Sequence, residues 1–457
     1  MCGIIGYSGP KEPLPILING LSRLEYRGYD SAGIAISDGD KITVEKKEGK
    51  LDVLKNHLKD SNIQGNIGIG HTRWATHGVP NDVNAHPHSD NSEEFAIIHN
   101  GIIENYAEIK KDLLEEGFEF KSDTDTEVVA VELSRKWNGE LLRTVTDVAK
   151  TLEGTYALVV TTTKEEGTIV AGRLMSPLVL GVGEKEVFLA SDSAAILEHT
   201  NKMIFLENGD FVEIKNGQYK LFDSELNEIE REIQEIDWEV SEAEKLGYDH
   251  FMYKEILEQS EVIERTISGR IESTSKEIPI KQDEASKYEK IWIVACGTAY
   301  HAGLFGKDLF EKVLGVPVSV ELASEFRYRE PIVGENDLGI VISQSGETMD
   351  TIAATELLKE NGAHVLALVN VVGSSLARMA DSVFYLHVGP EIGVASTKAY
   401  LGMLVGQLLL AKHWDSANKL EVSFDEVIER NIKKLESRYP DGKFDVHYSE
   451  NRKKGDR

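Results

Sequence analysis

The second half of the chain alternates short apolar runs with helical segments, and this alternation constrains the fold more than any other feature. The runs at residues 291–295, 339–342 and 365–369 have the length and composition of buried strands. Helical spacing follows the first two runs directly. Strands that alternate with helices predict a doubly wound parallel sheet, whose ligands bind beyond the carboxyl ends of the strands.

A loop rich in hydroxyl groups follows the second of these runs. It reads Ser343-Gln344-Ser345-Gly346-Glu347-Thr348. Hydroxyls and backbone N–H groups at a helix N-terminus favour a phosphate, although the same residues also make good helix caps. The loop lacks the lysine of a nucleoside-triphosphate loop. Thr298 and Ser396 lie in two similar loops, and Lys398 beside the latter is expected to be a surface lysine at a helix start.

The first half of the chain predicts antiparallel sheets. Residues 155–240 form a series of short β-like runs separated by turns, which is typical of sheets closing an α/β sandwich. Residues 223–246 are dense in acidic side chains and indicate a boundary. We therefore expect a first domain over residues 1–222, a linker over 223–247, a second domain over 248–412, and an atypical helix with a basic tail over 413–457.

Cys2 is a candidate nucleophile. If Met1 is removed, the residue carries a thiol with a pKa near ~8.5 and a free α-amine with a pKa near ~8. The amine can then take the thiol proton, which activates the sulfur for attack. Cys2 also opens an apolar run, so a residue at the start of a buried strand is the equal alternative.

The segment from His71 to Gly78 combines a cation, hydroxyls, imidazoles and an indole. The planar fork of Arg73 suits a carboxylate, although a surface ion pair is the commoner role for a single arginine. His71 and His77 are more often hydrogen-bonded structural histidines. The histidines lack the HExxH spacing of a helical metal site, so we expect no metal.

Two further segments carry polar side chains beside apolar runs. Asn100 and Gly101 end one run and could donate hydrogen bonds to an oxyanion, but Asn-Gly is also a common tight turn. Asp125 lies in the stretch Ser122-Asp123-Thr124-Asp125-Thr126-Glu127. That stretch is also suited to cap a helix beginning near Glu127.

Composition excludes several classes of protein. The formal net charge of −28 argues against a nucleic-acid partner, because a phosphate backbone would be repelled. No run approaches the ~20 apolar residues that span a membrane. Cys2 and Cys296 are the two cysteines, which excludes a disulfide framework and fits a reducing cytoplasm. We expect a cytoplasmic protein without a membrane or nucleic-acid partner.

Taken together, these motifs resemble the glutamine–fructose-6-phosphate aminotransferase (isomerising) family, the glucosamine-6-phosphate synthases. The resemblance is carried by MCGIIG, LEYRGYDSAG, HTRWATHG, HNGIIENY, SDTDTEV, CGTAYHAG, SQSGETMDT and GPEIGVASTKAY. It implies an N-terminal Ntn-hydrolase α/β/β/α sandwich (a class II glutamine amidotransferase domain) followed by a doubly wound α/β domain of the sugar isomerase (SIS) type. It also implies L-glutamine and fructose 6-phosphate as substrates, no cofactor, and a homodimer.

The resemblance also implies a role for each candidate residue. Cys2 would attack the glutamine amide, and Asn100 and Gly101 would hold the oxyanion. Arg73 would grip the glutamine α-carboxylate, Asp125 its α-amino group, Thr76 and His77 would line the pocket, and Trp74 would gate the ammonia path. The sugar phosphate would be bound by Thr298, Ser343, Gln344, Ser345 and Thr348, with Val394 and Ser396 nearby.

The chain departs from the family pattern at its C-terminal end. Family members carry a second SIS subdomain, and residues 401–457 contain no second strand, Ser-rich loop and helix. We therefore expect amino-sugar formation to be impaired and glutamine hydrolysis to be the more secure half-reaction. The alternatives are a glutaminase coupled to a sugar-phosphate-binding SIS module without transfer, and a regulatory SIS protein whose first domain is inert.

Overall fold

Two structural units account for the described part of the chain. The computed structural model describes residues 2–25, 28–236, 247–270, 277–416 and 419–420. The first unit consists mainly of residues up to Met252, and the second mainly of residues from Tyr253 onward. Among the helices of these described ranges, none combines the length and apolar content that crossing a membrane needs.

The first unit is built on two antiparallel sheets. Its strands are β1 (Gly3–Ser8), β2 (Ser31–Ser37), β3 (Ile42–Glu48), β4 (Ile67–Arg73), β5 (His88–Ser89), β6 (Phe95–Ile103), β7 (Gly154–Thr162), β8 (Thr168–Leu174), β9 (Val179–Val182), β10 (Val187–Ala190), β11 (Lys202–Phe205), β12 (Phe211–Lys215), β13 (Gln218–Phe222), β14 (Glu228–Ile229) and β15 (Gln234–Glu235). Over the described residues, the 8-stranded sheet has the order β15–β11–β9–β10–β1–β4–β2–β3, and the 7-stranded sheet has the order β14–β13–β12–β8–β7–β6–β5.

Helices cover the outer face of each sheet. They are α1 (Pro13–Leu24), α2 (Leu51–Leu58), α3 (Tyr106–Glu115), α4 (Asp125–Arg135) and α5 (Leu141–Ala149), with a 3₁₀ turn at Ser193–Ala195. Because side chains alternate along a strand, Ile4 packs between the two sheets, whereas Ile5 packs in the core that includes Leu17 and Leu21 of α1. This layering confirms the predicted α/β/β/α sandwich.

The second unit is a parallel sheet with helices on both faces. Its strands are β16 (Lys290–Ala295), β17 (Val318–Leu322), β18 (Asp337–Ser343), β19 (His364–Val369) and β20 (Ser382–Tyr385). The helices are α6 (Phe251–Leu257), α7 (Gln259–Ile267), α8 (Gln282–Ala285), α9 (Gly297–Leu314), α10 (Ala323–Phe326), α11 (Met349–Glu360), α12 (Ser375–Met379) and α13 (Lys398–Trp414). The sheet order is β17–β16–β18–β19–β20, with every pairing parallel.

Separate apolar cores lie on the two faces of this sheet. One face packs against α7, α9 and α13, through residues such as Val262, Phe310 and Met403. The other packs against α10, α11 and α12, through residues such as Phe326 and Leu358. Helices on both faces of a parallel sheet confirm the predicted doubly wound fold.

The predicted linker and C-terminal tail lie only partly within the described residues. Within 223–247, the short strands β14 and β15 pair with the two sheets of the first unit, and residues 237–246 lie outside the described residues. The helix α13 ends at Trp414. Most of the predicted 413–457 segment lies outside the described residues as well.

Candidate functional site

The thiol of Cys2 lies against the turn that follows β4. The backbone N–H of Trp74 donates to Sγ at 3.2 Å, and the thiol lies 3.5 Å from the Trp74 carbonyl oxygen. Burial raises the pKa of the Cys2 thiol, while the Trp74 hydrogen bond partly opposes that rise. The thiol therefore needs a base before it can attack.

Asn100 lies near the end of β6, beside Cys2. Its Nδ2 donates to the carbonyl oxygen of Cys2 at 2.9 Å, and its Oδ1 lies 2.9 Å from Nε2 of His71. Gly101 has a φ of +131°, and a Cβ there would lie 2.0 Å from the Thr155 carbonyl oxygen. Glycine is therefore required at position 101 by both backbone conformation and space.

Arg73 ends β4 and is buried, with 3% of its surface exposed. Its Nη2 donates to the carbonyl oxygens of His77 and of Gly78, the latter at 3.1 Å. Its Nη1 has no hydrogen-bond partner among the described residues. The alternative of a surface ion pair is therefore wrong, and the guanidinium keeps donor capacity for a carboxylate.

Asp125 is a buried carboxylate at the start of α4. Its Oδ2 accepts a hydrogen bond from the backbone N–H of Ile103 at 2.9 Å and lies 3.9 Å from Nδ1 of His99. This contact ties the first turn of α4 to the end of β6, two residues beyond Gly101. The structure therefore brings Asp125 close to the strand end that carries Asn100.

The turn after Arg73 carries the other predicted glutamine-site residues. Nδ1 of His77 lies 3.3 Å from Oγ1 of Thr76, and its ring packs edge-on against Tyr106. Trp74 is 47% exposed and packs edge-on against Tyr29, with ring centroids 5.2 Å apart. The turn is thus held against the Cys2 thiol, and the side chain of Trp74 is exposed.

His71 and Asp30 also contact the site, although their motifs predicted no site role for them. His71 is buried and contacts Asn100, and the Asp30 carboxylate accepts a hydrogen bond from the backbone N–H of Ala75. The sequence did contain a signal for His71. It stands two residues before Arg73 on a strand, so both side chains lie on one face of β4.

A second candidate site lies in the other unit, at the carboxyl end of β18. Oγ of Ser343 accepts from the Gly346 backbone N–H at 3.0 Å and lies 3.1 Å from Oγ1 of Thr348. Oγ of Ser345 accepts from the Glu347 backbone N–H at 3.1 Å. The loop thus places three hydroxyl groups immediately before α11, and those of Ser343 and Thr348 contact each other.

The remaining predicted sugar-phosphate residues lie in neighbouring loops. Strands β16 and β18 are adjacent and parallel, so their carboxyl ends lie at the same edge of the sheet. Thr298, in the first turn of α9, follows β16 at this edge, and Ser343 ends β18 there. Gln344 accepts a hydrogen bond through its backbone carbonyl from the Asn370 N–H at 3.2 Å. Val394 is grouped with the first unit, and Ser396 with the second.

The loop before α13 is organised around Glu391. Its carboxylate accepts from Oγ of Ser396 at 2.9 Å and from the backbone N–H groups of Thr397 and Ala399. Lys398 is 2% exposed, and its Nζ lies 2.5 Å from Oε2 of Glu258. The prediction of a surface lysine at 398 is therefore wrong, because the partly buried carboxylate of Glu258 compensates the ammonium group for the loss of water.

Family models define the class of each unit. A model described as a glutamine amidotransferase domain matches residues 56–246, and a model described as a SIS domain matches residues 285–412. The chain therefore joins a glutamine amidotransferase domain to a SIS domain.

Curated relatives define the family. The chain is 50% identical over 418 residues to the glutamine–fructose-6-phosphate aminotransferase (isomerising) of Clostridium perfringens, covering 91% of this chain and 68% of that protein. The enzymes of the same name from Clostridium tetani and Caldanaerobacter subterraneus are 50% and 49% identical, covering 91% and 95% of this chain and 69% and 72% of theirs. The chain belongs to the glutamine–fructose-6-phosphate aminotransferase (isomerising) family, as the motifs predicted.

Proposed function

We propose that the first unit hydrolyses L-glutamine with Cys2 as the nucleophile. We propose further that the ammonia reacts with fructose 6-phosphate at the SIS unit, giving D-glucosamine 6-phosphate and L-glutamate. The observation that carries the proposal is the hydrogen bond from Nδ2 of Asn100 to the Cys2 carbonyl oxygen, because it sets an amide donor beside the nucleophile. Membership of the family supports both half-reactions.

The raised pKa of the thiol makes a base essential to the attack. After loss of Met1, the α-amine of Cys2 takes the thiol proton as sulfur bonds to the side-chain amide carbon of glutamine. Collapse of the tetrahedral adduct breaks the C–N bond, and the proton passes to the departing nitrogen to release ammonia. Water then hydrolyses the thioester to glutamate and restores the thiol.

The tetrahedral adduct carries its negative charge on the former amide oxygen. Nδ2 of Asn100 and the backbone N–H of Gly101 are proposed to donate to that oxygen, and preorganised donors of this kind are worth about 10²–10³ in kcat. The left-handed backbone at Gly101 supports this role, since its peptide is held against Thr155.

The two ends of glutamine require opposite charges. Arg73 is proposed to bind the α-carboxylate through its unpartnered Nη1, and Asp125 to bind the α-ammonium group. Thr76 and His77 line the same pocket in this proposal. Trp74 is proposed to gate the ammonia path, because its indole is exposed while its backbone N–H is held by the Cys2 sulfur.

The SIS unit is proposed to bind the sugar phosphate at the loop before α11. Ser343, Ser345 and Thr348 supply hydroxyl donors, and the N-terminus of α11 favours a negative charge. Thr298, Gln344, Val394 and Ser396 complete the proposed sugar-phosphate site. We also propose a cytoplasmic homodimer formed through the SIS units, which is supported by the exposed apolar side chains of Leu304 and Phe305 on α9.

The test measures glutamate and glucosamine 6-phosphate separately, with and without fructose 6-phosphate. We expect glutamate from the wild-type chain and none above background from Cys2→Ala. Equal glutamate release by Cys2→Ala would refute the nucleophile assignment. Glutamate without amino sugar would favour the alternative of a glutaminase coupled to a sugar-phosphate-binding module. Light scattering of the purified chain tests the homodimer.

A further inference from the structure

The imidazole of His71 bridges the two sheets of the first unit beside the nucleophile. His71 lies on β4 of one sheet and is fully buried. Its Nε2 lies 2.9 Å from Oδ1 of Asn100 and 3.0 Å from the carbonyl oxygen of His99, both on β6 of the other sheet. One ring nitrogen therefore faces two oxygens.

The hydrogen-bond pattern determines where the protons lie. The carbonyl oxygen of Cys2 can only accept, so the group of Asn100 that faces it at 2.9 Å must be the NH₂ group. Oδ1 of Asn100 then faces His71, and the His99 carbonyl oxygen is an acceptor as well. Nε2 of His71 must therefore carry the hydrogen, and the ring is the Nε2–H tautomer.

A flipped Asn100 amide would make an unfavourable contact at each end. Its oxygen would face the Cys2 carbonyl oxygen, which places two acceptors together. Its NH₂ group would face the N–H of His71, which places two donors together. The His71 donor and the Cys2 acceptor thus select the same amide orientation.

His71 is held as a neutral donor by its surroundings. Burial lowers the pKa of His71 to about 3, so the ring carries no charge at neutral pH. The ring stacks on His86, with centroids 4.3 Å apart and planes inclined by 22°. Nδ1 of His71 has no hydrogen-bond partner among the described residues, which leaves Nε2 as the ring atom that makes its polar contacts.

We infer that His71 is a positioning residue that fixes the side-chain amide of Asn100 with its N–H groups toward the nucleophile. The inference rests on the proposed glutamine hydrolysis at Cys2. Without the His71 donor, the amide can rotate and present its oxygen to the developing oxyanion. An Asn100 amide whose N–H groups point away from the oxyanion stabilises the transition state no better than a side chain without a donor.

The primary test compares His71→Leu with His71→Gln in the full chain. Leucine fills the space without a donor, whereas the glutamine side-chain NH₂ can reach the position of Nε2. We expect His71→Leu to lower kcat for glutamine hydrolysis by about 10²-fold, within the range for loss of an oxyanion donor. The KM for glutamine should change less than kcat. The kcat of His71→Gln should be at least tenfold higher than that of His71→Leu. Thermal unfolding of both variants establishes that they are folded.

A double-mutant cycle separates positioning from a general structural effect. If His71 acts through Asn100, His71→Leu should cost little further activity in an Asn100→Ala background. Additive losses, or a His71→Leu variant with wild-type kcat, would overturn the inference. Failure of the proposed function gives a different result, since glutamate release would then be absent from the wild type or unchanged in Cys2→Ala.

Discussion

Nδ2 of Asn100 donates to the carbonyl oxygen of Cys2 across 2.9 Å, although 98 positions separate the two residues. Asn100 lies on β6 of the 7-stranded sheet, and Cys2 immediately precedes β1 of the 8-stranded sheet. The packing of the two sheets therefore sets the spacing between the proposed nucleophile and the amide of Asn100. The packed core of the sandwich holds this spacing, and a hydrogen-bond donor fixed in advance suits the stabilisation of negative charge that develops in a transition state.

Replacing Asn100 by Asp tests that donor with little change of shape. Aspartate retains an oxygen for His71 but presents a carboxylate oxygen, not NH₂, toward Cys2. We expect kcat for glutamine hydrolysis to fall by about 10²–10³, with a smaller change in KM. The matched control is Asn138→Asp, because Oδ1 of the exposed Asn138 only accepts hydrogen bonds from Thr144 and Glu140. Wild-type kcat in Asn100→Asp would contradict the oxyanion role.

Replacing Arg73 by Lys tests carboxylate binding. Nη2 of Arg73 already holds the carbonyl groups of His77 and Gly78, and Nη1 is left for substrate. A lysine ammonium lacks the forked geometry of a guanidinium, so it cannot hold the two carbonyl groups and bind a carboxylate at the same time. We expect the KM for glutamine to rise at least tenfold, about 1.4 kcal/mol, and kcat to fall less.

The control for Arg73→Lys is Arg143→Lys, which alters an exposed arginine whose Nε lies 3.7 Å from the exposed carboxylate of Glu140. This change should leave KM within about twofold, since exposed ion pairs contribute little. A lower kcat at unchanged KM in Arg73→Lys would assign Arg73 to the turn rather than to the substrate.

Replacing Ser345 by Ala tests the phosphate loop. Oγ of Ser345 accepts from the Glu347 N–H, so its own hydrogen is available to a phosphate oxygen. Hydrogen bonds to charged groups contribute about 1.5–3 kcal/mol, so the Kd of fructose 6-phosphate should rise by roughly ten- to hundredfold. Calorimetry measures the Kd, with Ser286→Ala as the control, since that hydroxyl donates to the Asp283 carbonyl oxygen at an exposed helix end. Equal affinity in the two variants would exclude Ser345 from the phosphate site.

Local sequence signals were sufficient for most of the architecture. Apolar runs separated by helical spacing predicted the doubly wound sheet, and Thr124 caps α4 by accepting from the Glu127 N–H, although the helix begins at Asp125 rather than near Glu127. Strand β3 was missed, since Lys46 and Lys47 interrupt its apolar pattern. Lys46 is accommodated there because its Nζ donates to three carbonyl oxygens of residues 83–87.

Contacts between distant residues account for what the sequence could not provide. Lys398 is buried only because Glu258, 140 positions away, receives its ammonium group. His71 reaches Asn100 only because the two sheets pack face to face. The proposed residues of the glutamine site were predicted through motifs, whereas the distances between them follow only from the fold. Their individual roles stay predictions until the variants above are measured.

The buried histidines predict a loss of stability in acid. Burial lowers the pKa of four of them below the ordinary value, namely His71, His86, His88 and His99. As pH falls below about 6.5, the unfolded chain takes up protons at these histidines while the folded chain does not. The free energy of unfolding is therefore fully retained above pH 6.5 and decreases as pH falls, for His71 toward a pKa of about 3. Each histidine contributes a slope of up to about 1.4 kcal/mol per pH unit.

Urea unfolding at pH 7.5 and pH 5.5 measures this slope in the first unit. Pulsed hydrogen exchange at one fixed pH, read on peptides from β4 and β6, reports the unfolding of the strands that carry His71 and His99. We expect a lower urea midpoint at pH 5.5. His88→Gln should reduce the difference between the two pH values, because glutamine can keep a hydrogen bond to Thr124 without titrating. A midpoint that is the same at both pH values would show that the cluster takes up protons in the folded chain.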